Sequence, residues 1–165
     1  LGVTPMALYR HFADRDALLV AVVARVSERI EFPPPAGTPH DQAIALASCL
    51  HDFLVAHPWM IRLIATGRLA SPAGLRFPEG FLALASQAGC NDEEAFVFYR
   101  TMFAAVLGQA TSTCARRRGG ANHLAVASAS VDMEHLAALA PRWSELDAHL
   151  KPARIFAAIA RTLPT

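Results

Sequence analysis

The 165-residue sequence has three cysteines, a single lysine and no long apolar segment. Cys49, Cys90 and Cys114 are odd in number and fit no metal-ligand spacing, which excludes a disulfide scaffold and predicts small core residues in a reducing compartment. The longest apolar run, residues 17–24, has eight residues, whereas a helix that crosses a bilayer needs about 20. No membrane partner is therefore expected, and we expect a cytoplasmic protein.

Charge and apolar content narrow the class of protein further. Fourteen arginines and one lysine stand against 14 acidic residues, so the net charge of +1 gives no global attraction to nucleic acid. Hydrophobic residues make up 53% of the chain, enough to bury a core that offsets chain entropy, which excludes disorder. The sequence has no nucleophile–base–acid pattern, no metal-ligand spacing and no glycine-rich phosphate loop. It therefore predicts a folded domain that is not an enzyme and holds no metal or other cofactor.

Helical patterns run through almost the whole sequence, with Pro or Gly at helix-length intervals and no long period-two alternation. The predicted fold class is therefore all-α. The proline triplet at residues 33–35 predicts a boundary between two units. A small N-terminal unit would cover residues 1–32, and a larger helical body would cover residues 36–165.

Proline and small polar residues predict where the helices of the body begin. Asn91 followed by Glu94 predicts a capping box before a helix of about 26 residues. Residues 71–77 are predicted to form a loop, with Pro78 opening the next helix. The long helix is apolar nearly all round, so both of its sides need cover. We expect it to form a four-helix bundle at a dimer interface, together with a final helix over residues 152–163 and a second copy of the chain.

The most informative part of the sequence is its first 25 residues. Gly2-Val3 is followed by Leu8-Tyr9-Arg10-His11-Phe12, and then by Asp14-Arg15 and Leu18-Leu19. This pattern resembles the recognition half of the helix-turn-helix in the tetracycline-repressor (TetR) family of bacterial transcription regulators. The resemblance implies a DNA-binding unit that here starts within its helix-turn-helix. We therefore expect further helices before the first residue of this sequence.

The resemblance also implies which residues contact operator DNA. The first residues of the second helix in a helix-turn-helix meet base edges in the major groove, and nearby rings and cations contact phosphates. The residues so implied are Thr4, Pro5, Met6, Ala7, Tyr9, Arg10, His11 and Arg15. Thr4 is first of all suited to capping its helix, and Arg15 is equally suited to an ion pair with Asp14 or with a neighbouring acid. Because residues 1–31 hold four arginines and four acidic residues, the DNA-binding expectation concerns the intact protein.

The body resembles the C-terminal domain of the same family, most clearly over residues 77–108. Such domains bind a small molecule among their central helices, and the resulting shift moves the helix that carries the DNA-binding unit. The implied ligand-binding residues are Phe53, His57, Trp59, Met60, Leu63, Phe77, Phe81, Leu84, Phe98, Tyr99, Met102 and Phe103. Taken singly, each of them is more often a core residue than a ligand contact. Phe81 stands where the archetype of the family has an amide, so neither tetracycline nor a metal is implied.

Two arginines, Arg62 and Arg100, lie within apolar stretches of the sequence. A buried arginine needs an anion, which is either an acidic side chain such as Asp52 or an acidic ligand, and the internal partner is the favoured interpretation.

The function expected from the whole sequence is a ligand-responsive, homodimeric transcriptional repressor that a small, largely apolar effector releases from its operator. The alternative is a non-catalytic module for hydrophobic-ligand binding or for dimerisation.

Overall fold

The computed structural model of the protein describes residues 12–66, 71–118 and 133–165. All regular elements in these ranges are helices, which confirms the all-α prediction. They are α1 (Arg15–Ser27), α2 (Pro39–Ala56), α3 (Pro58–Ala65), α4 (Pro72–Gln87), α5 (Asp92–Arg117), α6 (Glu134–Leu139), a short 3₁₀ helix (Ala140–Arg142), α7 (Trp143–His149) and α8 (Pro152–Ala160). The residues that resemble a recognition helix lie outside the described residues, apart from Phe12.

Side-chain caps fix where the longest helices begin. The Asn91 side chain accepts the N–H of Glu94 at 3.0 Å, and the Glu94 carboxylate accepts the N–H of Asn91 at 2.9 Å. This capping box was predicted from the sequence, and α5 has the predicted 26 residues. The reciprocal bonds satisfy two N–H groups that would otherwise lack a partner at the helix start.

The predicted loop over residues 71–77 is wrong, because α4 already begins at Pro72. The Ser71 hydroxyl caps this helix by accepting the N–H of Gly74 at 3.0 Å. Pro78 lies inside the helix and does not open it, although an interior proline costs about 3 kcal/mol. Phe77 and Phe81 are 2% and 0% exposed, and burying a phenylalanine contributes roughly 1.5–3 kcal/mol, so the packing of α4 offsets the cost of Pro78.

The core lies between α2, α4, α5 and α8, with α2 and α5 packed against each other along its centre. Phe81, Met102 and Phe156 have no exposed surface, and the same holds for Ala43 and Ala47 on α2. Small residues on α2 let its neighbours approach closely, so large side chains from α4, α5 and α8 can fill the space between them.

The last helix, α8, is held against α2 and α5 by its buried face. Phe156 lies edge-on to the ring of His51, with 6.1 Å between the centroids. His51 in turn shares a hydrogen bond of 3.2 Å with the hydroxyl of Thr113 on α5. The helix ends at Ala160, earlier than the predicted residue 163, although Leu163 is still buried beyond it.

The cysteines only partly match their predicted place in the core. Cys114 is buried, whereas Cys49 and Cys90 are half-buried, and none of the three is paired. Burial raises the pKa of the Cys49 thiol, with a smaller contribution from Asp52. The protonated thiol of Cys49 therefore acts as a small packing group and a weak donor, here toward the Glu31 carbonyl at 3.4 Å.

No single helix in the described ranges is long and apolar enough to span a membrane. Taken together, α2 and α3 satisfy length and composition, but they meet at an angle of 115°.

A second capping box, at the start of α2, makes the pKa of Asp41 a sensitive probe of this helix. The Thr38 hydroxyl donates to the Asp41 carboxylate at 2.6 Å and the Thr38 N–H donates at 3.0 Å. These bonds, the hydroxyl bond first, lower the pKa of the Asp41 carboxyl below its ordinary value. A lowered pKa in the folded state means that the carboxylate stabilises the fold above its unfolded pKa, and that this contribution disappears as pH falls through the folded pKa.

We expect Thr38→Val to raise the pKa of Asp41 toward its ordinary value, because the variant lacks the hydroxyl that donates to the carboxylate. The loss of stability on acidification should then shrink over the pH range between the two pKa values. NMR titration of the Asp41 side chain together with thermal melts at several pH values measures both effects. Thr162→Val, which removes an exposed hydroxyl bonded to the Ile159 carbonyl, is the control. An unchanged Asp41 pKa in Thr38→Val would contradict this account of the cap.

Candidate ligand-binding site

A cavity of about 460 Å³ lies among α1, α2, α3, α4 and α5. This volume is within the range of roughly 300–1,000 Å³ that is typical of small-molecule sites. Its wall is formed by Val23, Ser27 and Ile30; Leu50 and Phe53; Met60, Ile64, Ala65 and Thr66; Ser71, Gly74, Leu75, Phe77 and Pro78; and Tyr99, Arg100, Phe103, Ala104 and Leu107. Each of the five helices thus contributes at least two residues.

Aromatic and aliphatic side chains form most of the cavity wall. Tyr99 and Phe103 lie one turn apart on α5, with 5.7 Å between their ring centroids. Phe53 approaches from α2 and Phe77 from α4. Rings from three helices therefore surround the same space, an arrangement that suits a flat, apolar ligand.

Few polar side chains line the cavity, and two of the hydroxyls already bond to the backbone. The Ser71 hydroxyl accepts the N–H of Gly74, and the Thr66 hydroxyl donates to the Leu63 carbonyl at 2.8 Å. Arg100 is the one charged residue among the described lining residues, and it is exposed. The cavity therefore combines apolar walls with a cation at its edge.

The N-terminal helix α1 closes one side of the cavity. Val23 and Ser27 are 3% and 2% exposed, and both line the cavity together with Ile30. Since α1 follows directly on the residues that resemble a recognition helix, this wall connects the cavity to the N-terminal unit.

A cluster of rings holds the chain just beyond α1 to the body. The ring of Phe32 packs on that of Phe77 with 4.9 Å between centroids, and the guanidinium of Arg76 lies 3.8 Å from the centre of the Phe32 ring. Phe77 itself lines the cavity. The same side chain thus contacts both the cavity and the segment that follows α1.

The structure brings five of the twelve predicted ligand-binding residues to this cavity: Phe53, Met60, Phe77, Tyr99 and Phe103. Four others, Phe81, Leu84, Phe98 and Met102, are buried in the core, away from the cavity wall. Of the remaining three, Trp59 is 42% exposed, while His57 and Leu63 are half-buried.

Two of these residues show why side-chain type did not separate wall from core. Phe98 turns toward Phe81, with 6.4 Å between their rings. His57 donates through Nδ1 to the Phe53 carbonyl at 2.9 Å, a helix-end contact. Helical periodicity predicts that apolar residues such as Phe98 face inward. It does not distinguish residues that fill the core from residues that border an empty space.

The ligand-binding residues predicted from the sequence include none from α1. They also omit Arg100, Ala104 and Leu107 of α5, which line the cavity. In the sequence, Val23 and Ile30 follow the helical spacing that is typical of an inward-facing apolar stripe. That signal was sufficient to place them against the body, but not to show that an open space lies there.

Most predicted DNA-binding residues, Thr4, Pro5, Met6, Ala7, Tyr9, Arg10 and His11, lie outside the described residues. Arg15 is the first residue of α1, and its side chain is exposed. The neighbouring Asp14 caps α1 by accepting the N–H of Ala17 at 2.7 Å. Within the described ranges Arg15 forms no ion pair, so the alternative pairing with Asp14 is not observed.

The expectation that Arg62 and Arg100 are buried beside an internal acid is wrong. Both residues are exposed, and neither forms an ion pair with any described residue. Asp52 instead contacts His51, with 2.9 Å between its carboxylate and Nδ1. Each arginine lies in an apolar stretch but at the edge of its helix's buried face, where the long side chain reaches water.

Across residues 12–66, 71–118 and 133–165, no group of three or more His, Cys, Asp and Glu side chains is placed to hold a metal ion.

Solved structures with the same arrangement of helices define the fold class. ActR, a TetR family protein of Streptomyces coelicolor crystallised with actinorhodin, is 24% identical, with a TM-score of 0.68 over 97% of this chain and 82% of ActR. SCO7222, a TetR transcriptional regulator of the same organism, is 20% identical, with a TM-score of 0.69 over 98% of this chain and 80% of SCO7222. The fold is therefore that of the all-helical TetR regulators.

Family membership rests on the sequence itself. The family model of the tetracyclin repressor-like, C-terminal domain matches residues 33–151 of the sequence. The chain belongs to the TetR family, as its N-terminal pattern predicted. A comparison with curated proteins gives no match.

We expect the neutral fluorophore N-phenyl-1-naphthylamine to bind in the cavity, because its two aromatic groups match the rings of Phe53, Tyr99 and Phe103. Leu107→Trp should weaken this binding at least about tenfold, since the indole would occupy space that a ligand needs. Fluorescence titration measures the affinity. Leu146→Trp, at an exposed position on α7, adds the same side chain elsewhere and should leave binding unchanged. Equal affinity in both variants would show that the fluorophore binds outside the cavity.

Proposed function

We propose that this chain is part of a homodimeric transcriptional repressor that a small, largely apolar effector releases from operator DNA. The observation that carries the proposal is that α1 and the residues directly after it form one wall of the cavity through Val23, Ser27 and Ile30. A ligand in this space touches the helix that leads directly to the residues resembling a recognition helix. Family membership supports the regulator role, and the fold shared with ActR, a protein solved with a bound ligand, supports the site.

The proposed mechanism is a shift between two positions of α1. We assign residues 1–32 to the DNA-binding unit and residues 36–165 to the ligand-binding and dimerisation domain. A ligand that fits better when α1 is displaced increases the population of the displaced state. Two recognition helices must match half-sites about 34–36 Å apart, or a multiple of that distance. Displacing α1 in each subunit changes their separation, and operator affinity falls.

The DNA-binding assignment is tested on the product of the complete reading frame, with DNA from upstream of its own coding sequence. Tyr9→Ala and His11→Ala should each lower operator affinity roughly tenfold, because each removes a contact to the DNA backbone. Fluorescence anisotropy measures the affinity, and the melting temperature should not change. His135→Ala, at an exposed position on α6, is the matched control.

Unchanged DNA binding in both variants would contradict the assigned roles of Tyr9 and His11. A complete protein that binds the cavity fluorophore but no upstream DNA would favour the alternative, a hydrophobic-ligand-binding module without a role at an operator.

We further propose that the outer face of α5 forms the dimer interface together with α8. Val97, Thr101 and Gly108 follow helical spacing on the exposed side of α5, and Val97 is 58% exposed. Small side chains on this face let a second helix approach closely, and an apolar helix surface is stabilised when a partner covers it. The acidic first turn of α5 and the exposed Arg154 of α8 carry opposite charges that a two-fold axis can bring together.

Gly108→Arg should convert the dimer to a monomer, because a long cation would stand within the proposed interface. The variant should still fold, since a Cβ at Gly108 meets no atom within 4 Å, and Gly→Arg favours a helix by up to about 1 kcal/mol. Light scattering measures the mass, and circular dichroism measures the helix content. Ser86→Arg, at an exposed position on α4, should remain dimeric. A Gly108→Arg dimer of unchanged stability would contradict this interface.

A further inference from the structure

Charge is distributed unevenly around the cavity. Among its described lining residues Arg100 is a cation, and there is no Asp, Glu or His. The remaining lining residues are apolar or carry neutral hydroxyls, apart from the backbone. A ligand in this space therefore meets positive charge at one point and no negative side chain.

Arg100 lies at the boundary between the cavity and the outer face of α5. Tyr99, Phe103 and Ala104 surround it on the same helix, and all of them line the cavity. Helical neighbours one turn away are Phe96, Val97, Phe103 and Ala104, so none of them is acidic. Within the described residues the guanidinium has no ion-pair partner, and its donors are available to a ligand.

We propose that the effector is an aromatic acid, with its rings between Phe53, Tyr99 and Phe103 and its carboxylate or sulfonate on Arg100. This inference rests on the proposed function, since it names the chemical class of the ligand that would occupy the same cavity. A guanidinium offers two parallel N–H donors that match the two oxygens of such an anion. The apolar wall beside Arg100 lowers the local dielectric constant and strengthens that pair relative to one in open solvent.

The same arrangement disfavours the other ligand classes. A cationic ligand would approach Arg100 with no described acidic side chain of the cavity to balance its charge. A neutral aromatic molecule can fill the apolar space, but it forms no ion pair with the Arg100 guanidinium, which then stays hydrated. Arg100 is therefore a specificity-determining residue for anions, whereas the rings supply affinity for any flat apolar molecule.

Two fluorophores that differ only by a sulfonate separate these contributions. They are 8-anilinonaphthalene-1-sulfonate and the neutral N-phenyl-1-naphthylamine, each titrated into wild-type protein and variants. Arg100→Gln should weaken binding of the sulfonate by roughly five- to tenfold, the usual size of a charge-assisted bond at a partly exposed site. Binding of the neutral fluorophore should not change, and Arg100→Lys should restore part of the sulfonate affinity.

Arg62→Gln is the matched control, because Arg62 is an exposed arginine on α3 that does not line the cavity. It makes the same change in net charge and should leave both affinities unaltered. Leu107→Trp should weaken both fluorophores, which places the sulfonate in the cavity and not on another apolar surface. Raising the salt concentration should reduce the preference for the sulfonate in wild-type protein, but not in Arg100→Gln. Light scattering on Arg100→Gln confirms that the oligomeric state is unchanged.

The outcomes distinguish this inference from the proposed function. If the neutral fluorophore binds in the cavity but Arg100→Gln leaves sulfonate binding unchanged, the anion-binding role of Arg100 is overturned and the ligand site stands. If neither fluorophore binds the wild-type cavity, the ligand site itself fails, and the proposed effector response fails with it.

Discussion

The packing of α1 against α4 is the contact on which the cavity and the proposed function both depend. Without α1 and the residues directly after it, the space among α2, α3, α4 and α5 would be an open groove, because Val23, Ser27 and Ile30 close one of its sides. The contact is anchored just beyond α1, where the Phe32 ring contacts both Phe77 and the guanidinium of Arg76. Since Phe77 also lines the cavity, a ligand that moves this ring disturbs the anchor of α1.

The long helix α5 supports three surfaces because it is apolar nearly all round. Ala95, Phe98, Met102, Val106, Ala110 and Cys114 are buried in the core. Tyr99 and Phe103 face the cavity, and Val97 and Gly108 lie on the exposed side. An amphipathic helix could serve only the first of these surfaces. The lack of a polar face, which is visible in the sequence, fits the core contact, the cavity wall and the proposed dimer contact of α5.

Local signals in the sequence predicted much of the fold and less of the site. Asn91 with Glu94 fixed the start of α5, since a capping box depends only on residues three apart. Pro78 misled the prediction because tertiary burial of Phe77 and Phe81 outweighs the local cost of an interior proline. Cavity residues could not be separated from core residues, because Phe53 and Phe98 follow the same spacing and differ only in which neighbours fill the space around them.

The helices are buried to different extents, and this difference indicates which helix a ligand would displace more easily. Two residues of α1 are buried, whereas six of α5 are, and the latter lie in the close-packed centre beside α2. Displacing α5 would open voids along the whole core, while displacing α1 exposes mainly Val23 and Ser27. Arg100 belongs to the more deeply buried helix, whereas Val23 and Ser27 belong to the less buried one. Under the proposed mechanism, a ligand anchored at Arg100 would therefore displace α1 and not α5.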